Sequence, residues 1–117
     1  MQSFLIVCRL EPAPEGKLPP WGGLLDVAEE HGLWWLAPDE EGLRRLPEGT
    51  LWGRFERAAD ALAALDAALS DASRLLGYHL RARRRIACPT EAAALSGFGD
   101  AQKPFAQAEA LLYLSYQ

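Results

Sequence analysis

The chain has no asparagine, only two lysines against ten arginines, two cysteines and two histidines, and no long apolar run. Each shortage removes something. A membrane span needs ~20 consecutive apolar residues, so no membrane partner is expected. Cys8 and Cys88 are too few for a secreted disulfide framework and lack CxxC spacing. With His31 and His79 they form no cluster of zinc ligands either. Neither a disulfide nor a metal is expected, and a reduced, cytoplasmic setting follows. The N-terminal MQSFLIVCRL has no basic start and no small-residue cleavage site, so it reads as a strand and not as a secretion signal. The want of asparagine beside abundant Leu, Ala, Pro and Arg is a composition expected of a GC-rich or a thermophilic source, the latter because amides are thermolabile.

Catalytic signatures are missing as well. Gly22-Gly23 lacks the Lys-Ser/Thr that completes a phosphate loop, and no serine sits in a Gly-x-Ser-x-Gly elbow. No catalytic residue is assigned, no cofactor is expected, and an interaction protein is favoured over an enzyme. Positive charge is in deficit, with 12 basic against 16 acidic residues and a net charge of −4, which argues against a dedicated nucleic-acid binder.

What remains is an ordinary globular mix, 50% apolar and 24% charged over 117 residues. A chain of this size makes one domain and buries roughly 65% of its unfolded surface, enough for a core without staples.

The stretch that organises the reading is Tyr78–Cys88, YHLRARRRIAC. At a period of two, Tyr78, Leu80, Ala82, Ile86 and Cys88 share one face, and His79, Arg81, Arg83 and Arg85 share the other. Only Arg84 breaks the alternation. The pattern predicts a strand with one side in a core and a row of cations on the other.

Upstream, Ser3–Leu10 is apolar on both sides, as in a central strand. The proline-rich EPAPEGKLPP is an irregular connector. Trp21–His31 reads as a short helix stopped by Gly32, with His31 suited to its carbonyl end. Leu33–Ala37 and Leu51–Arg57 read as strands; between them Asp39–Leu46 is expected to make a helical turn ended by Pro47, and Glu48-Gly49 a turn. Asp60–Leu76 is the strongest helix. Ala58, Leu62, Leu65, Leu69, Ala72 and Leu76 recur at helical spacing, with Asp60 as cap and Gly77 as left-handed exit.

Strand, helix, strand, strand, helix, strand predicts a ferredoxin-like α+β sandwich over residues 1–88, its antiparallel sheet in the order 4-1-3-2. The order also resembles that of the dimeric α+β barrel proteins, small domains that pair sheet to sheet. The resemblance is architectural, covers about residues 3–88 and carries no motif residue. Neighbouring first and fourth strands would set Cys8 near Tyr78 and Cys88 near Met1, with the free thiols on the order of 20 Å apart.

Residues 89–117 are expected to form a C-terminal extension packed on the same domain. Thr90 would cap a helix over Glu91–Ser96 and Pro104 would open another, while 111–117 reads equally as helix or strand. Its Leu95, Phe98, Phe105, Leu111, Leu112, Leu114 and Tyr116 need cover.

The sheet face away from the helices would show Leu5, Val7, Trp52, Arg54, Glu56, His79, Arg81, Arg83 and Arg85. The expected use is a non-catalytic interaction or oligomerisation module, that face being covered by the tail or by the second subunit of a homodimer. The alternative is a small anionic ligand held by Arg54, Glu56, His79, Arg81, Arg83, Arg85 and Trp52, with acid–base chemistry conceivable through His79 and Glu56. Single-stranded nucleic acid on the tryptophans is a third and weaker use, since no RNP signature is present.

Overall fold

The computed structural model describes residues 1–39 and 42–90. They form a small mixed α+β domain with two helices and antiparallel sheets. Strand β1 spans Gln2–Leu10, helix α1 Pro20–Ala28, β2 Leu36–Asp39, β3 Gly42–Arg45, β4 Thr50–Phe55, helix α2 Ala58–Leu76 and β5 Ala82–Pro89. The expected helices in the tail lie outside the described residues.

The central strand is β1, with β4 antiparallel on one side and β5 antiparallel on the other. A ferredoxin-like sheet in the order 4-1-3-2 is not formed. The strand that would have been its outer member leaves the sheet after one bridge, Trp34 to Trp52, and β2 pairs with β3 in a separate two-stranded sheet. Within the segment expected to hold a helical turn, Gly42–Arg45 form instead the strand that pairs with β2. Pro38 and Pro47 fit this placement, because proline is tolerated in edge strands and at strand ends.

Two-residue periodicity works as expected in β1. Phe4, Ile6 and Cys8 are buried against the helices, while Leu5, Val7 and Arg9 face the other way. Helix α2 presents Ala61, Leu65, Ala68, Leu69 and Ala72 to this core, and α1 adds Trp21, Leu24 and Ala28. The alanines let the helices approach the sheet closely, and α2 ends on Gly77 at φ 79°, the left-handed exit. Its N-cap position is Arg57 and not Asp60, which lies in the first turn and forms an ion pair with Arg57 at 3.6 Å.

A second, smaller core lies on the opposite face of the sheet. The hairpin and the segment before it lay Trp34, Leu36, Ala37 and Leu46 around Trp52, with Leu5 at the margin. Among the described residues, the outer face is therefore covered on its β4 side and open toward β5.

Strand β5 departs from expectation in two ways. It begins at Ala82, and Tyr78–Arg81 form a loop, with the Tyr78 hydroxyl donating to the Leu18 carbonyl at 2.7 Å and Ser73 Oγ accepting the Leu80 N–H at 2.8 Å. The strand also carries a bulge: Leu10 pairs with Ala82 and Arg9 with Arg84, leaving Arg83 without a partner. One extra residue inverts every side chain that follows. Arg85 pairs with Cys8 on the helix side, while Ile86 pairs with Val7 and Cys88 with Leu5 on the outer face.

The same register corrects the cysteine geometry. Cys8 stands opposite Arg85 and not near Tyr78, and Cys88 stands opposite Leu5 and not near Met1. Three positions of offset amount to roughly 10 Å along the strands. Both thiols are free, Cys8 buried and Cys88 exposed on opposite faces.

Candidate functional site

The residues expected to share one sheet face fall into three places. Trp52 is 5% exposed, at the centre of the second core, with its backbone bonded in both directions to Trp34 at 2.7 and 2.8 Å. It offers no ring face on which a base could stack. Arg54 stands on β4 opposite Ser3, and Glu56 follows the strand; both are exposed. Arg83 occupies the bulge. His79, Arg81 and Arg85 come together elsewhere.

These three line a cleft of about 340 Å³ between α2 and the loop that leads into β5. Its helix wall is made by Asp66, Leu69, Ser70 and Ser73, and its other wall by the segment from His79 to Ala82 together with Arg85. The spacing of Asp66, Ser70 and Ser73 puts them on one stripe of α2, since residues three and four apart are neighbours on a helix. That stripe was present in the sequence, but nothing there said which strand would run beside it. Arg85 reaches the cleft because the bulge turns it toward the helix. Its Nη1 donates to Asp66 Oδ1 at 2.8 Å and to the Leu62 carbonyl oxygen at 3.2 Å.

Ser73 fixes the opposite wall. Its hydroxyl donates to the Leu69 carbonyl at 2.7 Å and accepts the Leu80 N–H, so the loop is tied to the helix through one oxygen. Leu80 and Leu69, 3% and 8% exposed, make an apolar floor.

The second surface is the open part of the outer sheet face. Val7 and Ile86 are neighbours across the β1–β5 ladder and are 46% and 58% exposed. Cys88 lies two residues beyond Ile86 on the same side, and the Arg9–Arg84 pair closes the strip at the bulge end. On the helix side, burial pushes the Cys8 thiol up to about 11, so it stays protonated and unreactive near neutrality.

Among the described residues, no three His, Cys, Asp or Glu side chains are grouped to hold a metal ion, and no helix is long and apolar enough to cross a membrane. His31, read as a helix-end cation, contacts Asp71 of α2 through Nε2 at 2.6 Å. Comparison with protein-family models, curated proteins and solved structures finds no match.

Proposed function

We propose that the protein is a non-catalytic interaction module that pairs with a second copy of itself through the open part of its outer sheet face. The observation that carries this reading is the Val7–Ile86 pair. Two β-branched aliphatic side chains stand side by side on the central strand and the adjoining edge strand, about half exposed, while the opposite face is closed by two helices. An antiparallel sheet tolerates a wet face when that face is polar. Here its centre is apolar, the surface a partner removes from water.

A two-fold arrangement with the strands of the two copies antiparallel stacks the two Val7–Ile86 pairs and sets Arg9 of each copy over the Leu5 position of the other. A standard interface of this kind buries ~800 Å² on each partner.

Light scattering over a concentration series tests the reading. The wild-type chain is expected to have twice the monomer mass of 12.9 kDa, and Ile86→Arg, which keeps the helix-side core, is expected to be monomeric. A wild-type chain that stays monomeric throughout, with the same mass as Ile86→Arg, contradicts it.

A further inference from the structure

We infer that the cleft between α2 and the start of β5 is a binding site for a small organic anion, a carboxylate or phosphate monoester with a short apolar body. The surface is distinct from the outer sheet face, so this inference stands or falls separately from self-association.

Arg85 and Asp66 form an ion pair at 2.8 Å and cancel, and the second bond from Arg85 to the Leu62 carbonyl holds that pair against the helix. Arg81 is left over. Its guanidinium and the His79 ring, both exposed, have no hydrogen-bond partner among the described residues. The Ser70 hydroxyl across the cleft is likewise unpartnered. In a chain of net charge −4, an uncompensated guanidinium beside an imidazole and a hydroxyl is a local inversion of sign. Arginine presents a planar fork of donors that fits a carboxylate or phosphate in two places, and charge-assisted bonds of that kind are the strong ones.

The floor selects the rest of the ligand. Leu69 and Leu80 lie beneath the polar rim, with Ala82 beside them. A bare inorganic anion leaves that floor wet, whereas a short aliphatic or aromatic group covers it. The volume of about 340 Å³ lies at the small end of ligand sites, which run from roughly 300 to 1,000 Å³. The cleft is partly open to solvent, so the group that fills it is small and any larger remainder of a ligand would extend into water.

The site is also pre-formed. Ser73 ties Leu80 to the helix and Arg85 ties β5 to it, so both walls are set before a ligand arrives. Little ordering remains to oppose binding.

Titration of the full chain followed by amide NMR tests the assignment, with phenyl phosphate, hexanoate and inorganic phosphate as probes. At least one organic anion is expected to give saturable shifts confined to residues 69–73 and 79–85. Inorganic phosphate should bind about tenfold more weakly, having nothing to place on the floor. Arg81→Ala is expected to weaken the organic probe tenfold or more and His79→Ala by a smaller factor, both with unchanged spectra elsewhere because the residues are exposed. Saturation by phenyl phosphate alone, or by hexanoate alone, supports the site and identifies the acidic group. No saturable shift up to about 10 mM of either organic probe overturns it. Equal affinity for inorganic phosphate overturns it too, as does equal weakening by Arg54→Ala on the remote β4.

Discussion

The carbonyl oxygen of Gly32 lies against the α-carbon of Gly53 so closely that a Cβ at Gly53 would sit 2.6 Å from it, and 2.5 Å from the Phe55 ring. This approach lets the chain leaving α1 cross β4, and it sets where Trp34 bridges Trp52. Gly32 itself adopts φ 76°, which a larger residue rarely takes.

Gly53→Ala is therefore expected to cost about 2–3 kcal/mol, because one of the two obstructions is backbone and cannot rotate away. Gly22→Ala is the control. It lies inside α1 with nothing within 4 Å of the new methyl group, and a gain of about 0.5–1 kcal/mol follows from helix propensity. Urea unfolding of both variants checks the pair.

The two thiols should separate cleanly. Cys88 is exposed and Cys8 buried, so a thiol reagent is expected to modify one group in the native chain and two in denaturant. Rapid modification of both in the native state would mean that β1 does not lie beneath the helices.

A pH dependence follows from Cys8. Burial raises this thiol from 9.0 to about 11, so the folded state holds the proton more tightly than the unfolded one. The resulting stability is fully present below pH 9 and is lost as pH rises toward 11, by about 2–3 kcal/mol in total. Chemical denaturation of wild type and Cys8→Ala across that window should show the wild type losing about 2–3 kcal/mol more than the variant.

Asp71 joins two parts of the helical layer. Its Oδ2 meets His31 Nε2 at 2.6 Å at the end of the turn after α1, and its Oδ1 pairs with Arg74 of the same helix. Both His31 and Asp71 are about a quarter exposed, so solvent screens the contact. Asp71→Ala is expected to lower stability by about 1 kcal/mol, and Arg74→Ala, which removes only an exposed neighbour, by less. Thermal unfolding at neutral pH distinguishes the two.

Much of the helical layer was legible in the sequence because its cues are local. The repeat Leu65, Leu69, Ala72 and the exits at Gly32 and Gly77 each depend on residues within a turn or two. The centre of the sheet was legible for a similar reason, since apolar side chains on both sides of Ser3–Leu10 demand cover on both faces. Two features were not. The strand β3 lies in PDEEGLRRL, whose charges suit a solvated turn; Leu36 and Leu46 become core only through contact with the distant Trp52. The bulge was visible as the lone break in alternation at Arg84. Read as an exception, it leaves Arg85 on the outer face and Ile86 within. Read as an inserted residue, it puts Arg85 beside Asp66 and Ile86 beside Val7. The cleft could not be recognised without that correction, because its two walls come from elements whose register depends on it.

Self-association through the outer face is tested most directly by NMR on a sample mixed from methyl-labelled and unlabelled chains. Paired sheet faces predict cross-chain contacts at the methyl groups of Val7 and Ile86, lost in Ile86→Arg. Methyl contacts from these two residues found only within one chain, to residues 91–117, would contradict it.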